Sequence, residues 1–154
     1  MRKAIAMILA AVMLLSLAAC GGSKAETKQV DLSEVYKQIE GTLPEMMLLD
    51  ETIMLNLYGV AAEDCNQAIA AVCANGLRTD EVWLMEAKDA RALEKLTALV
   101  NTRLEAKKDE TVTYSPDQYA VVEKAVILTQ GNYLVFLVSP DVDTLKTTVE
   151  NALK

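Results

Sequence analysis

The stretch VVEKAVILTQGNYLVFLV, residues 121–138, decides the fold. Val121 to Thr129 and Tyr133 to Val138 are rich in β-branched and aromatic residues. Gln130-Gly131-Asn132 separates them, which predicts a hairpin. Tyr133-Leu134-Val135-Phe136-Leu137-Val138 carries no polar residue on either face, and Val126-Ile127-Leu128 is the same. A sheet wetted on one side alternates apolar and polar residues instead. These strands therefore need cover on both faces, from helices of the same chain or from a partner.

Downstream, Ser139-Pro140-Asp141 predicts the cap of a last helix, with Val142, Leu145, Val149 and Leu153 on one side. Upstream, Ser115-Pro116-Asp117-Gln118 combines a capping serine, proline at the first helical position and a glutamine to close a capping box. Tyr114 and Tyr119 can staple that single turn. Before it runs the strongest helical pattern in the chain. Asp89 caps it, Leu93, Leu96, Val100 and Leu104 form its face, and Lys107 and Lys108 complement the dipole at its end. Val82 to Ala87 predicts a strand, with Trp83 and Met85 on one face, Trp83 as core, and residues 75–81 as the turn before it. Asp31 opens a first helix whose face is Leu32, Val35, Tyr36 and Ile39, with Gly41 ending it. Asp50 opens a short second one, with Ile53, Met54, Leu57 and Tyr58 inward and Gly59 at its end. These two helices can supply cover for the sheet. Residues 61–74 fit either element: Ala61, Cys65, Ile69, Val72 and Cys73 make a helical face, and the alanines favour helix.

Several fragments occur in one order: Leu43-Pro44-Glu45-Met46, Tyr58-Gly59-Val60, Asp80-Glu81-Val82, Ala87-Lys88-Asp89, Tyr114 with Pro116-Asp117-Gln118-Tyr119, and Gly131-Asn132-Tyr133. Over residues 31–150 this order resembles domain of unknown function 4358, a family of small lipoproteins of Firmicutes. The resemblance implies no activity and no catalytic or binding residues. It does imply that residues 66–74 are a strand pairing with 81–87, although Ala68, Ala70, Ala71 and Ala74 stand where bulkier strand formers are expected. With that strand, the fold class is α+β: a four-stranded, mostly antiparallel sheet of two hairpins with helices packed on it.

The N-terminus carries an address. Met1-Arg2-Lys3 is basic, and the 16 residues Ala4 to Ala19 are uncharged, with Ser16 as the one polar residue. Leu17-Ala18-Ala19-Cys20 follows and resembles the lipobox of bacterial lipoproteins. These are the parts of a secretory signal, and the apolar run is shorter than the roughly 20 residues that span a bilayer. Residues 1–19 are therefore expected to be a cleaved signal peptide, residues 20–29 a lipidated cysteine and flexible tether, and residues 30–154 one globular domain. A diacyl group on Cys20 would supply the two chains that stable anchoring needs. The nine tether residues after it reach about 30 Å fully stretched.

Without Arg2 and Lys3, the 15 basic residues fall to 13 against 22 acidic ones, a balance of −9. That argues against nucleic acid and against lying on anionic lipid by charge. The chain has no histidine, so the commonest activated nucleophiles and a histidine-ligated zinc site are absent. Cys65 and Cys73 are too far apart to pair on either a helix or a strand and read as small buried hydrophobes. The acidic neighbours Asp50-Glu51, Glu63-Asp64, Asp80-Glu81 and Asp109-Glu110 read as solvated turns and caps, and Asp141-Val142-Asp143 as a helix start rather than a calcium loop. Tyr114, Tyr119 and Tyr133 could stack on a sugar or anchor an interface, though a stapled turn accounts for the first two. The expected function is a lipid-anchored, extracytoplasmic, non-enzymatic binding module, with Cys20 its only assigned site and no metal or cofactor. Its partners are the membrane, through that lipid, with room for an envelope protein. The competing expectation is an envelope-associated enzyme or ligand-binding accessory acting on wall or glycan material.

Overall fold

A computed structural model describes residues 29–154. The expected signal peptide, Cys20 and most of the expected tether lie outside these residues. The chain order is α1 (Leu32–Glu40), β1 (Met46–Leu48), α2 (Glu51–Tyr58), a 3-10 turn (Ala62–Asp64), β2 (Cys65–Cys73) and β3 (Glu81–Ala87), then α3 (Ala90–Tyr114), α4 (Pro116–Val122), β4 (Val126–Gln130), β5 (Tyr133–Val138) and α5 (Val142–Ala152).

The sheet has five strands in the order β1-β2-β3-β5-β4, every neighbouring pair antiparallel. The two expected hairpins, β2–β3 and β4–β5, join through β3 and β5. The fifth strand, β1, corrects the expectation of four. It is three residues long, too short for any periodicity, and exists through its pairing with Ala71, Val72 and Cys73 of β2. The strand reading of residues 66–74 holds. Small residues are accommodated because Ala70 and Ala71 lie buried between neighbouring strands.

Every residue of β5 is buried, as are Val82, Trp83, Leu84 and Met85 of β3. Helices of the same chain cover both faces, so no partner is needed for that purpose. Leu32, Val35 and Ile39 of α1 and Val142, Leu145 and Val149 of α5 close over Val82, Leu84, Val135 and Leu137. Met54 of α2, Ala92, Leu96 and Val100 of α3 and Val122 of α4 close over Trp83, Met85, Leu134 and Phe136. The result is a three-layer arrangement, with α3 and α5 contributing more cover than the two N-terminal helices expected to provide it.

Local signals explain most of the element ends. Asp31, Asp50 and Asp89 each accept a backbone N–H of the first turn with a side-chain oxygen. Gly59 ends α2 in the left-handed region at φ 72°, where glycine has no steric penalty. Other expectations are corrected. Leu57 is 69% exposed rather than inward, because this short helix buries only Met54 fully. The segment from Val121 is not all strand: α4 continues to Val122, a turn follows, and β4 starts at Val126. Ser115 caps α4 without a side-chain hydrogen bond, and Asp141 does the same for α5. Most consequentially, α3 does not end near Lys107 and Lys108 but runs on to Tyr114.

Candidate functional site

The extra length of α3 creates the site. Its buried stripe is Ala92, Leu96, Val100, Lys107 and Thr111, a helical spacing that keeps one face inward throughout. Past Val100 that face turns polar. On β3, Glu81 has the same parity as Trp83 and Met85, so its side chain points to the α3 face, at the end of the strand. Helix and strand thus bring three charges together.

Glu81 is fully buried. Its carboxylate accepts Nε and Nη2 of Arg103 at 3.1 Å to Oε1 and 2.9 Å to Oε2, and Nζ of Lys107 at 2.7 Å to Oε2. The Arg103 and Lys107 side chains are only 15% and 8% exposed. The Arg103 guanidinium lies 5.0 Å from the ring centre of Tyr58, a cation–π contact. Tyr58 in turn packs on Trp83, and Trp83 meets Phe136 edge-on. Burial withdraws stabilisation from the Arg103 cation, yet the hydrogen bonds and charge of Glu81 leave its pKa raised. Burial also raises the pKa of Tyr58, against the pull of Arg103.

Above this floor lies a cleft of about 500 Å³. One wall is the β2–β3 turn. There Arg78 holds buried Asp80 with two hydrogen bonds of 2.8 and 3.1 Å, and the side chain of Asp80 is 1% exposed. The other wall is the last turns of α3, carrying Glu110, Thr111 and Tyr114, followed by Ser115 and Gln118. Gln118 closes no capping box. Its Oε1 accepts the backbone N–H and the hydroxyl of Thr79 at 2.9 and 3.1 Å, clamping the two walls together.

This placement reverses one expectation and divides another. Asp80 and Glu81 are not a solvated pair; both are buried and bound to cations. The tyrosines separate. Tyr114 staples nothing, being 86% exposed at the cleft rim. Tyr119 is partly buried on α4. Tyr133 is buried, and its hydroxyl accepts the backbone N–H of Val30 at 3.0 Å, a structural task. The remaining acidic neighbours cap or pair: Asp50 caps α2, and Asp64 binds Lys95 at 2.6 Å. Among the described residues, no group of three His, Cys, Asp or Glu side chains could hold a metal ion, and no helix is long and apolar enough to cross a membrane.

Cys65 and Cys73 are free, at opposite ends of β2. Burial, then Asp64, pushes the Cys65 thiol up to about 11, against the pull of Lys95. A thiol in that state is a poor nucleophile near neutrality. In the Cys20→Ala protein, iodoacetamide at pH 8 is expected to alkylate Cys65 roughly a hundredfold more slowly than an ordinary thiol of pKa about 8.5. The rate should still be climbing at pH 10. Labelling at the ordinary rate would show the thiolate to be available after all.

No curated protein and no solved structure matches the chain significantly. A family model does match, over residues 37–139, which takes in every wall of the cleft and ends just after β5. Because that match covers more than half of the chain, the protein belongs to the family described as domain of unknown function, DUF4358.

Proposed function

We propose that this protein is an extracytoplasmic lipoprotein, anchored through lipid on Cys20, whose domain is a non-enzymatic binding module of the cell envelope. The cleft beside Glu81, Arg103 and Lys107 is its receptor site. The observation that carries this reading is the position of the cleft relative to the tether. The chain enters the fold at Val30, held by Tyr133 and by Gln67, whose amide donates to the Val30 carbonyl at 2.9 Å and to Glu86 at 2.8 Å. That is the Glu86 end of β3. The cleft lies at the Glu81 end, five residues and about 17 Å along the strand. A domain tethered at the first pole keeps its attachment point clear of the cleft, which stays open to envelope partners.

A binding role suits the cleft better than acid–base chemistry. A catalytic carboxylate must reach the proton it moves, and the buried carboxylates Asp80 and Glu81 are both occupied by cations. Tyr114 at the rim and Tyr58 on the floor side favour one refinement, a sugar-bearing ligand stacked on an aromatic ring.

The test uses full-length protein in a bacterial host. The wild type is expected in the membrane fraction, its mature N-terminus a diacylglyceryl cysteine by mass spectrometry. The Cys20→Ala form should be unlipidated and lost from that fraction. A photo-crosslinker at position 77, exposed on the cleft wall, should capture an envelope component, and Tyr114→Ala should weaken the capture. An intact Met1 without lipid would overturn the anchoring. Capture indifferent to Tyr114 and Arg103 substitutions would overturn the cleft.

A further inference from the structure

Charge at the cleft floor does not balance. Glu81 supplies one negative charge, while Arg103 and Lys107 supply two positive ones; Glu81 and Lys107 are buried and Arg103 is 15% exposed. The neighbouring pair at the β2–β3 turn is neutral, since Arg78 is matched by Asp80. Burying a net charge is costly unless a counter-charge approaches. The carboxylate in place to do so is Glu110, 64% exposed, one of whose oxygens lies 3.6 Å from Arg103 Nη1. That separation exceeds a hydrogen bond. Glu110 therefore offsets the floor's surplus charge only loosely, from the exposed rim and without bonding to it.

Donor geometry points the same way. Arg103 spends Nε and Nη2 on Glu81, and its guanidinium carbon lies 5.0 Å from the Tyr58 ring centre. Its Nη1 remains on the Glu110 side. Lys107 donates one hydrogen bond, to Glu81, leaving two ammonium hydrogens. Both side chains line the open cleft. Donors fixed in place before the ligand arrives bind charge at little cost in ordering. In a chain of net charge −7, a positive floor is a local exception.

We infer that the cleft takes a ligand carrying an oxyanion, a carboxylate or a phosphate, which bonds to Arg103 Nη1 and Lys107 Nζ and displaces Glu110. This rests on the cleft being the receptor site. Wall peptides and phosphate-bearing polymers are two sources of that chemistry.

Full-length lipidated protein in detergent micelles is titrated with three probes: inorganic phosphate, N-acetyl-trialanine, and the C-terminal amide of that peptide. The expected result is saturable binding of phosphate or the peptide acid, at least tenfold weaker for the amide. Phosphate alone binding points to a phosphate polymer, the peptide acid alone to a carboxylate, and either supports the inference. Glu110→Gln should tighten binding at least threefold by removing the competitor, and Lys107→Met should weaken it at least tenfold. Glu110 is exposed, so its variant folds and decides the matter even if the lysine variant does not. Unchanged affinity in Glu110→Gln, measurable binding that is equal for acid and amide, or no binding of either anion overturns the inference. If cross-linking through position 77 still depends on Tyr114 in that event, the cleft stands and only the oxyanion falls.

Discussion

Replacing Glu81 with methionine is expected to destabilise the protein by about 3–5 kcal/mol, one of the two largest losses open to a single substitution here. The change keeps side-chain volume and removes the acceptor. It leaves Arg103 and Lys107, which Glu81 holds at 2.9 and 2.7 Å, with uncompensated charge beneath the cleft. The loss is mainly the cost of the stranded cations rather than the net worth of the ion cluster. Adding Lys107→Met should therefore recover at least about 1 kcal/mol, a coupling of the size expected between contacting residues. Urea unfolding followed by circular dichroism measures both steps. A single-variant loss below about 1 kcal/mol, or a double variant no more stable than the single, would show that water reaches these charges. Hydrophobic side chains can hold such a position as well as an ion cluster does. The charges thus add little to the fold beyond themselves; what they add is a polar, positively charged floor to the cleft.

Trp83→Ala is the second, again with an expected loss of about 3–5 kcal/mol, from burial and the cavity left behind. Trp83 is fully buried between Tyr58 and Phe136, at centroid distances of 5.1 and 5.8 Å. Its consequences extend to the site, because Tyr58 packs on Trp83 on one side and carries the Arg103 guanidinium on the other. Trp83→Phe should cost clearly less. The indole Nε1 is buried without a hydrogen-bond partner, a burden of about 1–3 kcal/mol that phenylalanine does not carry. Trp83 is the chain's one tryptophan, so circular dichroism rather than fluorescence must follow unfolding. A Trp83→Phe loss above about 3 kcal/mol would mean that the indole N–H is satisfied by solvent.

Much of the site was open to a reader of the sequence. Glu81 stands two residues before Trp83, and starting the strand at residue 81 rather than Val82 turns it to the Trp83 face. Lys107 and Thr111 continue the spacing of Leu96 and Val100. Both signals were outweighed by composition: an acidic neighbour pair in an acidic domain reads as a turn, and two lysines after an apolar run read as a helix end. What had to be known was that α3 continues through Asp109 and Glu110. Its own residues argue weakly for that, and the continuation is held by the Thr79–Gln118 clamp and by Glu81 drawing in Lys107. Tyr114 illustrates the converse. A staple with Tyr119 required a helix start at Ser115 on a free chain, but α3 reaches Tyr114 itself and turns its ring outward.

The sequence by itself determined the α+β class, the β4–β5 hairpin, the capped starts of α1, α2 and α3, and the need for cover on both faces of β5. These are local matters: side-chain period, turn glycine and capping aspartates act within a few residues, and their physics does not wait for the rest of the chain. Tertiary structure alone decided that β1 exists, that strand outweighs alanine propensity in β2, and that Glu81, Arg103 and Lys107 meet. A three-residue strand forms only against a partner. A carboxylate 22 and 26 positions away from two cations becomes their ligand only when a strand end and a helix middle are stacked on one sheet.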